Sequence, residues 1–371
     1  MDIAGMYTQE QIYQLSLTRI PDLGSILTRY LIDHFGSATA IFSARLKDLA
    51  AVEGIGTYRA GQIKNFKDHS LAENELTAIA AKNIELLFIT DEKYPRRLRN
   101  CPDAPLVLFY KGNADLNHNR MVSIIGSRHH TEYGRWATEQ LIQALKPFQV
   151  TVISGLAYGV DAIAHKAALQ QKMETIGVLA HGFKTIYPGL HKSLASEMIE
   201  RGGLLTEFMF DELPDRHHFP KRNRIVAGMS DATVIIETAI KGGSMITADL
   251  AFHYNRDVFA LPGRINDAKS SGCLQLIAEN KATPFISSTH FLEAMGWMEI
   301  KKKKNAEKKL FHELSSQEQI IVDLLQAKES LHIDEIYLQS KLSNSEMAAA
   351  ILSLELQNII LQHPGKYFRL S

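Results

Sequence analysis

The stretch VTVISGLAYGVDAIAHKAALQ, residues 150–170, indicates the fold of the central part of the chain. It begins with Val150–Ile153, a short apolar run that is typical of a buried strand. Gly155 and Gly159 permit a sharp turn, and the apolar spacing of Asp161–Gln170 predicts a helix. A strand, a glycine turn and a helix in this order make up the first part of a β-α-β unit.

Two side chains of this stretch invite a chemical interpretation. Asp161 suits the N-cap of the predicted helix, and His165 follows four residues later on the same side. An Asp/His pair can be catalytic, but no Ser, Cys or further acid is placed to complete a triad. We therefore favour a packed histidine that the cap residue holds.

The same alternation of strands and helices continues from about Ile84 to Phe285. Strands are predicted at Ile84–Ile89, Leu106–Tyr110, Met121–Ile125, Val150–Ile153, Thr175–Leu179, Gly203–Thr206, Thr233–Ile236 and Val258–Leu261. Helices are predicted at Trp136–Leu145, Asp161–Gln170, Lys192–Arg201, Arg222–Met229 and Ile246–His253. Apolar strands that alternate with helices predict an α/β domain, over residues 76–300, with a parallel sheet covered on both faces. Ligands of such sheets bind at the carboxyl ends of the strands.

The N-terminal part, residues 1–75, is predicted to be a small helical domain. Short helices are expected at Ile12–Ser16, Gly24–Phe35 and Thr39–Phe42. The segment Val52–Gly56 and the residues after it have the hhhGxGxxxA pattern of a helix-hairpin-helix, whose backbone amides can hold a DNA phosphate. Two glycines that only let helices pack closely would produce the same pattern. Both interpretations stay open, because this part is mildly acidic, with 7 Lys and Arg against 9 Asp and Glu.

The C-terminal part divides into a basic linker and a small domain. Residues 301–309 carry six lysines and one glutamate, and such a run repels itself and stays solvated. Residues 310–371 are predicted to form helices at Ser316–Gln326, Ile333–Leu338 and Ser345–Gln357, followed by strands at Asn358–Gln362 and Lys366–Leu370 around a His-Pro-Gly turn. Three helices and a hairpin in this order are typical of a winged helix-turn-helix domain.

The charge of this C-terminal domain argues against DNA binding. It carries 4 Lys and Arg against 8 Asp and Glu, and its predicted recognition helix contains Glu346 and Glu355 but no basic residue. A winged helix that reads DNA needs cations against the phosphates. We therefore expect a module that contacts a protein partner or regulates the chain.

Composition sets the broad class of the protein. The 371 residues are 45% hydrophobic and 22% charged with no net charge, as in an ordinary globular protein. No apolar stretch is long enough for a membrane helix and no signal peptide is recognisable, so a cytoplasmic protein without membrane contact is expected. Cys101 and Cys273 have no ligand spacing, which predicts neither a metal site nor a disulfide.

Four turns of the central domain carry residues that suit an anion. The first is Gly126-Ser127-Arg128 after a predicted strand, where a sharp turn, a hydroxyl and a guanidinium suit phosphate. A dinucleotide fingerprint is absent, because the next glycine is Gly134. The second turn contains Ser154 and Gly155. The fourth is a predicted phosphate cradle at a helix start, made by Gly242, Gly243, Ser244 and Thr247.

The third turn, residues 216–224, is the most basic. It carries four permanent positive charges, two histidines, one phenylalanine and no acid. Its candidate DNA-binding residues are Arg216, Phe219, Lys221, Arg222, Asn223 and Arg224. Cations at a helix start are unfavourable unless a bound anion offsets them. Basic residues around an aromatic suit single-stranded nucleic acid, with the cations along the phosphates and a base stacked on Phe219. We expect Arg128 and Arg224 to converge on the same phosphates.

Five motifs in order make the central region resemble the DNA-processing protein A (DprA/Smf) family. They are GSR at Gly126–Arg128, SGLAYGVDAIAHKAAL at Ser154–Leu169, FPKRNRIVAG at Phe219–Gly228, GGSMITA at Gly242–Ala248 and ALPG at Ala260–Gly263. The resemblance covers about residues 80–290. The two flanking domains are also similar to those of many members.

The resemblance implies an extended Rossmann fold without catalytic activity or cofactor. It further implies a cytoplasmic homodimer that binds single-stranded DNA, protects incoming DNA in natural transformation and loads the RecA recombinase onto it. Carried over by motif, the GSR arginine is Arg128, the stacking aromatic is Phe219, and Arg222–Arg224 belong to the same stretch. Arg216 stands where some members have a pocket lysine.

An enzyme on the same fold is the alternative. The central domain also resembles nucleotide phosphoribohydrolases, which use a GGxGTxxE turn. Aligning Gly242 and Gly243 with that turn places Met245 and Ile246 where Gly and Thr are needed, and Asp249 in place of Glu. We therefore favour binding over hydrolysis.

Overall fold

The computed structural model describes residues 7–298, 314–328, 330–357, 359–363 and 367–370. The chain forms two compact units, Met1–Glu299 and Ile300–Ser371. The predicted linker at 301–309 and most of the predicted His-Pro-Gly turn lie outside the described residues.

Six helices make up the N-terminal part of the first unit. They are α1 (Gln9–Leu17), α2 (Ser25–Phe35), α3 (Ala38–Ser43), α4 (Leu46–Ala51), α5 (Gly56–Asn65) and α6 (Ser70–Ala80). Gly54 and Gly56 both have positive φ, and a Cβ on Gly54 would meet the Leu27 side chain at 2.8 Å. This close approach supports the interpretation that the glycine pattern lets helices pack.

A nine-stranded sheet forms the centre of the first unit. Its strands are β1 (Glu85–Phe88), β2 (Val107–Gly112), β3 (Met121–Ile125), β4 (Thr151–Ser154), β5 (Thr175–Val178), β6 (Gly202–Thr206), β7 (Ala232–Ile235), β8 (Asp257–Ala260) and β9 (Thr283–Pro284). Their spatial order is β1-β2-β6-β5-β4-β3-β7-β8-β9. The strands from β6 to β9 are parallel as predicted, whereas β1 and β2 add an antiparallel edge.

Helices cover both faces of this sheet. They are α7 (Arg96–Arg99), α8 (Glu132–Leu145), α9 (Val160–Gln170), α10 (Lys192–Arg201), α11 (His218–Met229), α12 (Gly243–His253), α13 (Ser271–Ala278) and α14 (Ser288–Ala294). Core residues of α8, α9 and α14 pack with one face of the sheet. Those of α11, α12 and α13 pack with the other face, in the same apolar core as the N-terminal helices. The predicted α/β fold of the extended Rossmann type is thereby confirmed.

The order of the strands places a crevice next to β3. The chain runs outward from β3 to β4, β5 and β6, and then returns to place β7 on the other side of β3. The loops that follow β3 and β7 therefore leave the sheet toward opposite faces. Such a switch point opens a crevice at the carboxyl ends of the strands, where ligands of this class of sheet bind.

The second unit is a small winged-helix domain. It contains α15 (Ser316–Ala327), β10 (Leu331–His332), α16 (Ile333–Ser340), α17 (Asn344–Leu356), β11 (Ile360–His363) and β12 (Tyr367–Leu370). The predicted helices and hairpin are present, and a short strand, β10, completes a three-stranded sheet of order β10-β12-β11. Its core is separate and includes Ile321, Ile336, Leu354 and Phe368.

Candidate nucleic-acid interface

A cavity of about 300 Å³ lies in the crevice beside β3. Three of the four predicted turns reach it, together with one face of α11. Its lining includes Gly126, Ser127, Arg128, Gly155, Ala157, Asp161, Phe219, Arg222, Asn223, Val226, Thr238, Gly242, Gly243, Ser244 and Thr247. The structure therefore brings together most of the residues that the sequence singled out.

The loop after β3 is a tight turn held by its own backbone. Ser127 Oγ accepts a hydrogen bond from the His129 amide at 3.1 Å, and the Ser127 carbonyl accepts one from the Val160 amide at 3.2 Å. A Cβ on Gly126 would meet the Val160 side chain at 2.7 Å. Only glycine fits there, so this close packing fixes the direction in which Arg128 leaves the turn.

The loop after β4 is organised by a buried carboxylate. Asp161 accepts hydrogen bonds from the amides of Gly155 at 3.2 Å and Ala157 at 3.3 Å. The prediction that Asp161 is the N-cap of the helix is wrong. Gly159, at φ 81°, occupies that position, so α9 starts one residue earlier and Asp161 reaches back into the turn.

His165 is a packed side chain, but Asp161 does not hold it. Its Nδ1 lies 2.6 Å from Thr175 Oγ1, at the start of β5. Burial lowers the pKa of His165 to about 3, so the imidazole is neutral near pH 7. A neutral, fully buried histidine away from the cavity belongs to the core.

Phe219 and Arg128 form the rim of the cavity. The guanidinium carbon of Arg128 lies 5.3 Å from the centre of the Phe219 ring, within the range of a cation–π contact. The ring of Tyr187 meets Phe219 edge-on, with centroids 6.1 Å apart. Phe219 is half-buried and Arg128 is exposed. An aromatic face and a free cation are therefore available together to a ligand.

Arg222 is a buried cation in the wall of the cavity. Its Nη1 donates to the carbonyl of Val178 at 2.6 Å and to that of Gly155. These bonds tie α11 to the carboxyl ends of β4 and β5. Burial lowers the pKa of Arg222 and raises that of Asp161, and the attraction between the two charges opposes both shifts. Arg222 thus positions the turn and adds a fixed positive charge to the site.

The N-terminus of α12 closes the cavity on the β7 side. The helix begins at Gly243, three residues earlier than predicted, with Gly242 as its N-cap. A Cβ on Gly242 would collide with Thr238 Oγ1. Asn223 Nδ2 donates to the Gly243 carbonyl at 3.4 Å and links α11 to this helix start. The Met245 amide donates to the Gly242 carbonyl at 3.1 Å, so the amides of Gly243 and Ser244 are the ones that offer an anion hydrogen bonds at the positive end of the helix dipole.

Glu237 supports the site from behind, and the sequence reasoning missed it. Glu237 lies two residues after the end of β7, and its side chain is buried. It accepts hydrogen bonds from the Thr131 amide at 2.9 Å and from the Thr131 hydroxyl. The sequence places this acid directly after the predicted strand Thr233–Ile236, and that position is the signal from which its role could have been predicted.

Arg224 lies away from the cavity, so the expectation that it converges with Arg128 is wrong. It forms an ion pair with Glu207, in which each side chain is only 14% exposed, and it also donates to the Asp103 carbonyl. Arg224 and Lys221 line a second cavity, of about 800 Å³, between the N-terminal helices and the sheet. The cause is helical geometry, because residues two apart point to opposite sides of a helix.

Two further predicted residues also lie outside the cavity. Ser154 is buried and its hydroxyl donates to the Ile124 carbonyl at 2.6 Å, so it joins β4 to β3. Arg216 is exposed before α11, and its Nε lies 3.0 Å from His217 Nε2. Neither is among the residues that line the cavity.

The part of the chain that the structure describes contains no helix long and apolar enough to cross a membrane. Among these residues, no group of His, Cys, Asp and Glu side chains is arranged to hold a metal ion.

Fold and cavity together define a class of protein. An extended Rossmann-type sheet carries a cavity built from glycine turns, a helix N-terminus, two arginines and an aromatic ring, and this is the chemistry of an anion site beside a stacking surface. A family model described as DNA recombination-mediator protein A matches residues 85–296, and one described as DprA winged helix domain matches residues 306–366. The chain therefore belongs to the DprA/Smf family.

Individual relatives agree with this assignment. Protein Smf of Synechocystis sp. is 35% identical over 295 residues, which are 78% of this chain and 74% of that protein. The X-ray structure of DNA processing protein A from Streptococcus pneumoniae has a TM-score of 0.66 at 32% identity, covering 77% of this chain and 98% of that one. A Helicobacter pylori DNA processing protein A, whose single-stranded-DNA binding mode has been described structurally, has a TM-score of 0.53 at 30% identity and covers 58% and 96%.

Proposed function

We propose that this protein binds single-stranded DNA during DNA processing in natural transformation, and that the cavity beside β3 is the binding site. The contact between Arg128 and Phe219 carries this proposal. A cation and a half-buried aromatic ring at the mouth of an anion cavity suit one nucleotide, whose phosphate and base need different partners. A relative with 30% identity is described as a single-stranded-DNA-binding protein.

The wall and the rim of the cavity offer a phosphate different contacts. The amides at the start of α12 and the side chains of Ser244 and Thr247 offer hydrogen bonds to a phosphate inside the cavity. Arg128, which is exposed, adds a charge-assisted contact to the same phosphate or its neighbour. Arg222 contributes charge without moving, because two strand-end carbonyls hold its guanidinium. The wall of the site is thus held in place before DNA arrives, whereas at the rim the Arg128 guanidinium rests on the Phe219 ring and has to share that ring with an incoming base.

Selectivity for single strands follows from Phe219. A base stacks on an aromatic ring only when its face is free, and in a duplex both faces are covered by neighbouring bases. Stacking is also indifferent to base identity, since every base has a π-face. The site therefore suits incoming DNA of any sequence.

We further propose that the bound strand is handed to the RecA recombinase by a homodimer of this chain. The family description as a recombination mediator supports this role. The acidic winged-helix domain is proposed to contact a protein partner. In its helix α17 the exposed positions include Ala348, Ala349, Leu352 and Leu356, an apolar face without cations. Such a surface suits a protein better than a phosphate backbone.

Nucleotide hydrolysis has little support from the geometry. Asp249, the residue that aligns with the catalytic acid of the phosphoribohydrolases, forms an ion pair with Lys281 at 3.1 Å. It is absent from the lining of the cavity. A carboxylate outside the cavity is not placed to act on a sugar bound at the start of α12.

Binding of a labelled oligo(dT) and of a matched duplex, each at several salt concentrations, tests the proposed function. We expect the single strand to bind more tightly at every salt concentration, with a logarithmic salt slope of roughly 0.7 for each phosphate contacted. Free base released from nucleoside monophosphates would instead favour the enzyme. Equal affinity for both DNAs would contradict the proposed stacking site.

The role of the cavity itself is tested with Arg128→Ala. Its matched control is Arg201→Ala, which removes another exposed arginine, at the end of α10 and away from the cavity. We expect only the first variant to weaken single-strand binding, by about 1–3 kcal/mol. Equal effects would mean that DNA responds only to overall charge.

A further inference from the structure

Two large aromatic side chains stand exposed on α8, the helix that follows the Arg128 loop. Tyr133 is 48% exposed and Trp136 is 57% exposed, and their ring planes are inclined by only 21° with centroids 6.0 Å apart. They lie three residues apart on one side of the helix, whereas Gly134 and Ala137 are buried on the other. A pair of near-parallel exposed rings is a surface on which flat groups can stack.

The loop between Arg128 and α8 connects this pair to the cavity. Thr131, the N-cap of α8, is anchored to Glu237 behind the cavity. Arg128 and Tyr133 are five residues apart, so their Cα atoms are at most about 18 Å from each other. A stacked strand advances about 3.4 Å per nucleotide, so roughly five nucleotides span that distance. One strand can therefore reach both places.

The charges beside the rings suit a polyanion. Arg135 lies between the two aromatics in sequence, and its guanidinium lies 3.2 Å from His130 Nε2 and 3.6 Å from a Glu132 carboxylate oxygen. Together with Arg128, residues 128–139 carry two arginines and two histidines against two acids, Glu132 and Glu139. Interleaved cations and aromatics are the composition that single-stranded nucleic acid favours.

We propose that Tyr133 and Trp136 form a second base-stacking site for single-stranded DNA, occupied by nucleotides that extend beyond the cavity. This inference rests on the proposed function and extends it from one nucleotide at Phe219 to a tract. We assign the exposed aromatic pair to nucleic acid rather than to another partner, because a basic loop connects the pair to the cavity. A strand too short to leave the cavity gains nothing from the second site.

Intrinsic fluorescence offers a direct readout of this site. The chain has two tryptophans, and Trp297 packs edge-on against Phe291 with centroids 5.9 Å apart. The variant Trp297→Phe therefore leaves Trp136 as the sole tryptophan. Oligo(dT) of about twenty nucleotides should quench Trp136 emission as it binds, and oligo(dT) of about three nucleotides should bind without comparable quenching.

Substitutions at position 136 provide the second readout. Trp136→Leu keeps an apolar side chain but removes the stacking face, and should weaken binding of the long oligonucleotide roughly 5- to 150-fold per lost stack while sparing the short one. Trp136→Phe should retain most of the affinity. Tyr30→Leu, at an exposed tyrosine of α2, is the matched control and should leave both affinities unchanged.

The outcomes separate this inference from the proposed function. The second site would be overturned if long oligonucleotides bound without quenching Trp136 and bound Trp136→Leu as tightly as the wild type. The proposed site in the cavity would not be affected by that result. Failure of every single-stranded oligonucleotide to bind would overturn the proposed function as well. Emission that changes with protein concentration in the absence of DNA would show that a second copy of the chain covers the aromatics, which also overturns the inference.

Discussion

The two sides of helix α11 use similar residues for different purposes. Phe219, Arg222 and Asn223 face the cavity beside β3, where Arg128 leaves a cation free at the rim. Lys221 and Arg224 face the larger second cavity, where Glu207 neutralises Arg224. A basic run that reads as one site along the sequence is therefore split by the helix into a ligand-facing side and a structural side.

Burial decides which cations are available to a ligand. Removing one partner of an ion pair that is shielded from water is costly, because the other charge is left buried and unpaired. Arg224 is committed in this way to Glu207, whereas Arg128 rests on an aromatic ring and stays exposed. The comparison predicts that substitutions on one side change stability and that those on the other change affinity.

The largest expected effect is on stability. Arg224→Ala leaves the buried Glu207 carboxylate without its partner and should lower the free energy of unfolding by roughly 3–5 kcal/mol. Urea unfolding followed by circular dichroism measures this. The double variant Glu207→Leu/Arg224→Met removes both charges and should be less destabilised than Arg224→Ala. Greater loss in the double variant would show that the pair does not act as a unit.

The next effect concerns selectivity on the cavity side. Phe219→Leu removes the stacking face and should reduce single-strand affinity by roughly 1–3 kcal/mol while leaving weak duplex binding nearly intact. Fluorescence anisotropy with both DNAs measures this, and Phe219→Tyr should behave like the wild type. An equal loss on both DNAs would make Phe219 a core residue.

The stability of the protein is expected to depend on pH through a buried glutamate near the second cavity. Glu75 of α6 accepts a hydrogen bond from the Phe210 amide at 2.6 Å, in the segment that borders the second cavity. Burial, helped by the nearby carboxylates of Asp211 and Glu212, raises the pKa of Glu75 to about 7. The folded state thus binds the proton more tightly than the unfolded state. Its contribution to stability is full below about pH 4.3 and is lost as the pH rises toward about 7.

Glu75→Gln keeps an acceptor for the Phe210 amide and cannot ionise. The wild type should lose about 1–2 kcal/mol of stability between about pH 4.5 and about pH 8 that this variant retains, allowing for screening by solvent. Glu73→Gln, at an exposed position of the same helix, is the control. Parallel pH profiles for the wild type and Glu75→Gln would contradict the raised pKa.

The smallest effect is expected from the winged-helix domain. A chain that ends at Lys309 keeps the six lysines and loses a domain of net charge −4, so single-strand affinity should stay the same or rise by less than about 1 kcal/mol. A chain that ends at Met298 keeps Trp297 packed against the core but also loses the lysines, and should bind more weakly with a flatter salt slope. A marked loss from the first truncation alone would mean that the winged helix itself holds DNA.

Much of the fold was predictable because periodicity reports burial. The central strands are apolar on both faces, so each one is visible in the sequence as a short run. The antiparallel direction of β1 and β2 was not predictable, because these edge strands have the same apolar composition as parallel strands. Strand direction depends on how the chain returns, which composition does not record.

The candidate site was predictable as a set of turns but not as a set of side chains. The glycines after β3, β4 and β7 marked the crevice, because parallel strands bring their carboxyl ends to one edge. The hydrogen-bond and ion-pair partners of each side chain could be identified only from the structure. Glu207 lies 17 residues before Arg224, and a positive φ at Gly159 moves the helix start away from Asp161.

The most direct test of the split across α11 compares two variants in one DNA-binding experiment. Arg128→Gln removes the free cation at the cavity, and Glu207→Gln/Arg224→Gln removes the ion pair on the other side. We expect Arg128→Gln to lower single-strand affinity by about 1–3 kcal/mol and to reduce the salt slope by about 0.7, and the double variant to match the wild type. Unchanged affinity in Arg128→Gln, with a loss in the double variant, would place the DNA on the opposite side of the helix.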